Sequence, residues 1–430
     1  MNDTILIDNY GPLDVQSVQS PEEVCNAVRE AAGAHQAVYP IGGRTLLDLG
    51  LPPSRPGKAL DLRPLRAVIE YPARDMTITV QAGMTIQELQ AILSKENQRL
   101  PLDVPQPESA TIGGTLAANV SGPRRYGFGT ARDYVIGISA VNDQGQVIKA
   151  GGRVVKNVAG YDLCKLFIGS LGTLGIITQV TLKLKPLPEE TALVAVAADD
   201  SQLDPLLEAV HQTQTRPVCW DLLNRNAIVK MFQRWQLELP QADWLVLVGY
   251  ESNREAVSWQ LKQYVREISE LQTQGLYSWA GSASDPYWRA LAELPGGFEA
   301  RLSFKANLLP SRVAGFCRQA QKLHETMSLQ AHAGNGIVIG QISDELSLGE
   351  ANAIICELQQ SAKTAQGNLV IRRCPTAWKS TLPVWGVERN DAWLMQKVKD
   401  AFDPANLFNP GRMNFISDSE SRAADLHQST

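Results

Sequence analysis

The chain has 430 residues, of which 44% are hydrophobic and 20% charged, the balance of a folded protein with room for two or three domains of about 150 residues. Its net charge of −5 argues against nucleic acid as the main partner, because phosphate binding wants a basic face. No run reaches the ~18 apolar residues that a membrane helix needs. Met1-Asn2-Asp3-Thr4 has neither a basic start nor an apolar core, so no signal peptide is expected. Six cysteines, at 25, 164, 219, 317, 356 and 374, form no C-x-x-C pair. They read as buried thiols in a reducing, cytoplasmic compartment, and an iron–sulfur cluster on this chain is not expected.

The first 190 residues are rich in glycine and short β-branched runs. Ser20-Pro21-Glu22-Glu23 is a helix start, with a serine cap, proline at the first helical position and a glutamate to close the box. That helix should run to about Ala32. Residues 38–41 read as a strand ending in a glycine loop, and 68–71 and 76–81 as further strands. Thr85-Ile86-Gln87-Glu88 is a second capping box, opening a helix through Leu93. Residues 134–141 and 146–149 form a hairpin across Asp143-Gln144-Gly145. A long strand over 174–185 is broken by Pro186-Leu187-Pro188.

The middle region is rich in tryptophan and poor in glycine. Strand 193–198, helix 201–213, strands 218–222 and 244–250 and helix 254–268 come first. Strand 301–305, helix 311–324, strands 329–333 and 336–341, helix 346–362 and strand 369–373 follow, around a loop at Pro295-Gly296-Gly297. Two rounds of β-α-β-β-α-β predict an α+β domain whose helices cover one face of an antiparallel sheet. A helix over 392–402 leads to the turn Asn409-Pro410-Gly411, and the polar residues from about 417 read as disordered.

No G-x-G-x-x-G follows a strand; Gly127-Phe128-Gly129 comes nearest, with Arg132 at the third glycine position. There is no P-loop, no G-x-S-x-G elbow and no H-E-x-x-H, and the five histidines offer no metal pair. Four glycine-rich segments stand out instead. They are Pro40-Ile41-Gly42-Gly43-Arg44-Thr45, the stretch from Pro107-Glu108-Ser109 to Ser121-Gly122, Lys156-Asn157-Val158-Ala159-Gly160-Tyr161-Asp162, and Gly169-Ser170-Leu171-Gly172-Thr173-Leu174-Gly175-Ile176-Ile177-Thr178. Paired glycines let backbone N–H groups crowd an oxyanion with no Cβ in the way. Singly each is a turn; four together suit a pyrophosphate.

The order of these segments resembles the FAD-binding domain of the vanillyl-alcohol oxidase (PCMH-type) family. It is most similar to the branch that holds the D-lactate dehydrogenases and the glycolate oxidase subunits. The third and fourth segments are specific to that branch, and Phe402-Asp403-Pro404-Ala405-Asn406-Leu407-Phe408-Asn409-Pro410-Gly411-Arg412 resembles its C-terminal signature. The resemblance implies an α+β fold: a two-lobed PCMH-type FAD domain over 1–188, an α+β cap domain over 189–375 with an antiparallel sheet covered by helices, a returning segment over 376–416, and a disordered tail over 417–430. It implies that Ile41, Gly42, Gly43, Arg44 and Thr45 cradle the FAD pyrophosphate with backbone amides. Pro107, Ser109, Thr111, Gly113 and Gly114 would do so from the other side. Asn119 and Gly122 would lie along the flavin and its ribityl chain, Gly160 and Tyr161 near the adenosine, and Gly175 and Ile177 at the adenine. Asn409 would close over the flavin; its plain alternative is a turn.

Departures from the family pattern matter. Arg44-Thr45 stands where some relatives carry a tethering histidine, so FAD is expected to be non-covalent. The histidine pair of the catalytic branch is reduced to His332, with Ile339 at the second position. A lone histidine is a poor metal site, and no metal is expected. His332 is a candidate base. Arg301 and Lys305 are candidates to hold a substrate carboxylate, and exposed strand charges are the alternative for both and for Lys379. The resemblance implies oxidation of glycolate or a similar 2-hydroxy acid such as D-lactate. Electrons would pass to partners, a sister flavoprotein subunit and an iron–sulfur subunit, and contact with a membrane would come only through them. A non-catalytic FAD-binding subunit and a stand-alone dehydrogenase of D-lactate or an aldonolactone are the alternatives.

Overall fold

The computed structural model describes residues 3–152, 161–296, 300–387 and 390–413. Gly160 and the Lys156-to-Gly160 motif lie outside them, as does the expected tail over 417–430.

The chain begins with a four-stranded sheet in the order Thr4–Ile7, Tyr10–Ser17, Gly57–Asp61, Ala37–Ile41. The last three run parallel. Parallel neighbours need a crossover, and the helix Pro21–Gly33 supplies one, burying Val24, Ala27, Val28 and Ala31. Its cap is as expected on one side only. Ser20 Oγ accepts from the Glu23 amide at 3.2 Å, whereas the Glu23 carboxylate accepts from Gln19 N, one residue upstream. The free edge of Ala37–Ile41 is covered by the far end of the chain: Val38 N donates to Leu407 O (2.8 Å) and Asn409 N to Val38 O (3.0 Å).

A five-stranded antiparallel sheet follows, in the order Val68–Glu70, Thr77–Gln81, Ile176–Lys183, Val135–Val141, Val147–Gly151. The hairpin and the long strand read from the sequence are both in it. Helix Ile86–Leu93 carries the complete Thr85/Glu88 capping box.

The middle region forms one eight-stranded sheet, antiparallel at every pairing. Its second half has the expected order: Leu302–Asn307, helix Val313–Leu323, Ser328–His332, Ile337–Ile342, helix Leu348–Thr364, Asn368–Arg373. Its first half departs from expectation. Besides Glu190–Ala198, Cys219–Asn224 and Trp244–Ser252, it holds helix Arg225–Trp235, strand Gly275–Ala280 and helix Asp285–Glu293. The two additional helices change the layering. Val194 and Val196 face one helical layer, while Leu193 and Ala195 face Met231 and Leu291 on the other side. Helices therefore cover both faces of this half, not one, and every residue from Ala192 to Ala198 is buried.

A charged knot joins this sheet to the amino-terminal region. The Glu251 side chain, 1% exposed, pairs with Arg99 and Arg124. Arg124 also pairs with Asp103 at 2.5 Å and lies 3.9 Å over the Trp288 ring. Burial alone would raise the Glu251 pKa, but Arg124 and Arg99 more than reverse it and hold the carboxyl below its ordinary range. Breaking a buried pair from one side leaves an uncompensated charge. Glu251→Gln is therefore expected to cost about 3–5 kcal/mol in denaturant unfolding; a change within about 0.5 kcal/mol, the range of ordinary surface substitutions, would contradict this account.

Candidate functional site

Two turns meet at the first glycine loop. A Cβ on Gly42 would stand 2.3 Å from Thr111 Oγ1, and one on Gly43 would stand 1.7 Å from the Ser109 carbonyl oxygen. Only glycine permits that approach. Among the described residues, no hydrogen bond uses the amides of Gly42, Gly43, Arg44 or Thr45, and Arg44 has a left-handed φ of 59°. Consecutive free amides beside a left-handed residue form an anion nest.

The second turn behaves differently from expectation. Most of its amides are engaged internally: Ser109 and Ala110 donate to Gln106 O, Ile112 to Met84 O, Gly113 to Ala82 O and Gly114 to Thr111 Oγ1. It contributes mainly shape, with the Thr111 amide the one backbone donor of residues 109–114 for which no hydrogen bond is seen. Pro107 serves the fold, its carbonyl accepting from Gln87 N.

The opposite wall comes from the fourth segment and the carboxy-terminal turn. Leu171, Gly172 and Asn409 all have positive φ. Asn409 Nδ2 donates to Leu171 O at 2.6 Å. A Cβ on Gly172 would lie 3.0 Å from that Nδ2, so the two turns are in contact. Between the walls run two clefts of about 440 and 650 Å³, which share Ile41, Gly42, Thr111, Gly114, Ala117, Leu171 and Asn409. Gly113, Gly175 and Ile177 line the first, and Gly43, Arg44 and Thr45 the second. The second cleft shares Leu46, Leu49, Ala118 and Leu171 with a third of about 1040 Å³, which opens onto the eight-stranded sheet and holds Asn119. The Asn119 Oδ1 is buried without a partner. Of the remaining sequence candidates, Ser109 and Gly122 line none of the three clefts; Gly122 packs against Asp103. Tyr161 is 95% exposed and stands apart from them.

The third cleft holds the chemistry-bearing residues. Strand pairing sets Asp221 opposite His332. His332 Nδ1 lies 2.7 Å from Asp221 Oδ1, and Gln330 Nε2 donates to Asp221 Oδ2 at 2.8 Å. His332 is 2% exposed, and its Nε2 has no partner. Lys305 lines the same cleft with Arg125 and Arg372. Ile339, at the second histidine position, lies in register with Lys305 and lines the cleft too. Burial, then Arg125 and Arg372, push the Lys305 pKa down to about 8. Burial also lowers Arg372 and Arg125.

Arg301 does not join Lys305. It precedes the strand, pairs with Glu345 at 3.7 Å, stacks 5.2 Å from the Trp378 ring and lines a separate cleft. Lys379 is not an exposed charge; it is buried, donating to Asp8 Oδ2 at 2.7 Å and to Gly50 O at 2.8 Å. Asp221, Arg125 and Arg372 were not singled out from the sequence. The available signal was a charged residue inside an apolar run, Asp221 in Val-Cys-Trp-Asp-Leu-Leu and Arg372 in Leu-Val-Ile-Arg-Arg.

Gly43→Ala would force its methyl into the Ser109 carbonyl, whereas a Cβ on Gly315, inside helix Val313–Leu323, meets nothing within 4 Å. Gly315→Ala is expected to be neutral or to stabilise by up to about 1 kcal/mol. Gly43→Ala is expected to lower the thermal midpoint and to purify with depleted flavin. Equal behaviour of the two variants in melting and flavin content would refute the close-approach argument.

Residues 12–151 match the family described as FAD binding domain, and residues 387–413 match FAD linked oxidases, C-terminal domain. The chain is 25% identical over 427 residues to the glycolate oxidase subunit GlcD of Bacillus subtilis (strain 168), covering 96% of this chain and 90% of that one. It is 39% identical over 133 residues to the glycolate oxidase subunit GlcE of Escherichia coli (strain K12), covering 31% of this chain and 38% of that one. It is 25% identical over 428 residues to a D-lactate dehydrogenase of Anaerostipes hadrus, covering 92% and 88% of the two chains. The fold is that of p-cresol methylhydroxylase with substrate bound, at a TM-score of 0.68 and 16% identity, over 93% of this chain and 88% of that one. FAD is the cofactor these matches support. The matched segments are those of an FAD-linked oxidoreductase, and over most of its length the chain is similar to a glycolate oxidase subunit and to a D-lactate dehydrogenase.

Proposed function

We propose that this chain oxidises a small 2-hydroxy acid to the 2-oxo acid, with glycolate and D-lactate as the first substrates to test, and that the electrons pass to a partner subunit. The observation that carries the reading is the buried, unpartnered Nε2 of His332 in a cleft lined by Lys305, Arg125 and Arg372.

The residues fit FAD. The amides of Gly42, Gly43, Arg44 and Thr45 would hold its pyrophosphate, and the small side chains of Ala117 and Ala118 leave room for a flat ligand. When bound, FAD supplies a two-electron acceptor for hydride. The chain's own groups do the rest. The cations hold the substrate carboxylate, which fixes its orientation in the cleft. His332 Nε2 accepts the hydroxyl proton. Asp221, on Nδ1, holds the imidazole in the tautomer that leaves Nε2 free and stabilises its charged form, and Gln330 fixes Asp221 in turn. Arg301 has no part in this scheme.

A second reading has one observation in its favour. Ile339, which can neither ligate a metal nor move a proton, stands where the catalytic branch carries its second histidine. On that reading the chain is an E-type FAD-binding subunit that stabilises or relays electrons for a sister flavoprotein subunit and an iron–sulfur subunit.

Anaerobic addition of glycolate and D-lactate to the purified chain separates the two. Catalysis predicts bleaching of the flavin absorbance, and a His332→Asn variant that still binds FAD should bleach about 10²–10⁴-fold more slowly. No bleaching by any 2-hydroxy acid overturns the catalytic reading. Covalent attachment is a further point. Among the described residues, no cysteine or tyrosine lines the three clefts, and His332 is their single histidine. Acid precipitation is expected to leave all flavin in the supernatant; colour in the washed pellet would show a tether.

A further inference from the structure

One buried carboxylate has no part in the scheme above. Glu293, the last residue of helix Asp285–Glu293, is 5% exposed. Both of its oxygens face a single backbone donor, Gln106 N, at 2.9 and 3.0 Å. Among the described residues it makes no salt bridge, and Arg234 and Arg289 act on it only through space. Burial pushes its pKa above the ordinary carboxylate range, and the Gln106 amide draws it back in part. Taking a charge out of water for one amide is costly, so the stability of the fold does not by itself account for this residue.

The amide it holds opens the second turn. Gln106 has a left-handed φ of 54°, a conformation that a residue with a side chain keeps only where its neighbours hold it. Its carbonyl accepts from Ser109 N at 2.9 Å and Ala110 N at 2.8 Å. Its side chain reaches the same helix end, Nε2 donating to Gly296 O at 3.4 Å. The turn so fixed carries the Ser109 carbonyl, against which the Gly43 backbone packs. The path from Glu293 to the glycine nest is therefore short: carboxylate to Gln106, Gln106 to Ser109, Ser109 to Gly43. A cleft of about 610 Å³ lies along it, lined by Thr45 and Leu46, by Gln106 and Ala110, and by Pro295 and Gly296. The helix end also faces the eight-stranded sheet, where Gln330 Nε2 donates to Leu291 O at 3.0 Å and Arg372 Nη1 to Pro295 O at 3.3 Å.

We propose that Glu293 is a positioning residue for the cofactor. From outside the nest it holds the Gln106–Ala110 turn as the rigid face against which the Gly42 and Gly43 amides stand. How tightly flavin is held is thereby set by a helix packed on the eight-stranded sheet. A carboxylate suits this task because a charged acceptor makes the stronger bond to an amide. The bond is also directional, so it fixes the angle of the turn as well as its distance. The inference needs FAD as the cofactor and is independent of the oxidation reading above.

Flavin release from the FAD-loaded chain on dilution, followed by the fluorescence of free flavin, tests the proposal without turnover. Glu293→Leu keeps the bulk of the side chain and removes the desolvated charge, so the thermal midpoint should change little. Release is nevertheless expected to quicken about tenfold or more, the scale of an amide left without its acceptor. Glu293→Gln restores a neutral acceptor and should recover most of the loss. Leu291→Ala thins the core from the same helix and leaves the carboxylate in place. It should lower the thermal midpoint with little change in release. Unchanged release in Glu293→Leu overturns the proposal, as does an equal quickening by Leu291→Ala or a wild-type chain that retains no flavin. Absence of bleaching by 2-hydroxy acids overturns the oxidation reading alone.

Discussion

The contact of the Gly42-Gly43 backbone with the turn at Ser109 and Thr111 is the constraint on which the cofactor end of the molecule depends. No side chain fits between the two, since an added Cβ would fall 1.7 Å from a carbonyl oxygen. The consequence is a division of labour. One turn spends its amides on the surrounding protein and becomes rigid, while the other keeps four amides free against that rigid surface. A polar ligand then meets donors already fixed in place, so little ordering entropy is lost on binding.

The proposed substrate end follows a different logic. There the eight-stranded sheet brings distant residues to one cleft by register alone. Asp221 reaches His332 because two antiparallel strands align them. Lys305 and Ile339 are aligned by a neighbouring pair. Arg125 enters from the amino-terminal region, beside the Arg124–Glu251 knot that holds this region to the sheet. Stability and the proposed function are therefore adjacent in sequence but separate in chemistry: Arg124 is fully paired, and Arg125, the next residue, is not.

Much of this was legible in the sequence, for stated physical reasons. The capping box at Thr85 and the hairpin across Gly145 are local signals, and each lies where expected. The missed elements lacked such signals. Strand Gly57–Asp61 reads Gly-Lys-Ala-Leu-Asp, without alternation, because it is held between two parallel neighbours. Helix Arg225–Trp235 is rich in β-branched and aromatic residues, which are indifferent helix formers; its cap, Asn224, was the available clue. The site was half legible. His332 and Lys305 stood out as residue types, but Asp221, Arg125 and Arg372 join them only through tertiary placement. Arg301 was misplaced because the strand begins one residue after it.

The closing of the sheet edge by Leu407 and Asn409 bears on how the molecule is made. Arg412 reinforces it, its guanidinium donating to the carbonyls of Leu47 and Leu49, just beyond the first glycine loop. A ribosome releases residues 42–45 hundreds of positions before it releases this strap. Until then the nest lacks the wall that Asn409 supplies. The pocket is thus completed only once residues 407–412 have followed residues 42–45 out of the ribosome.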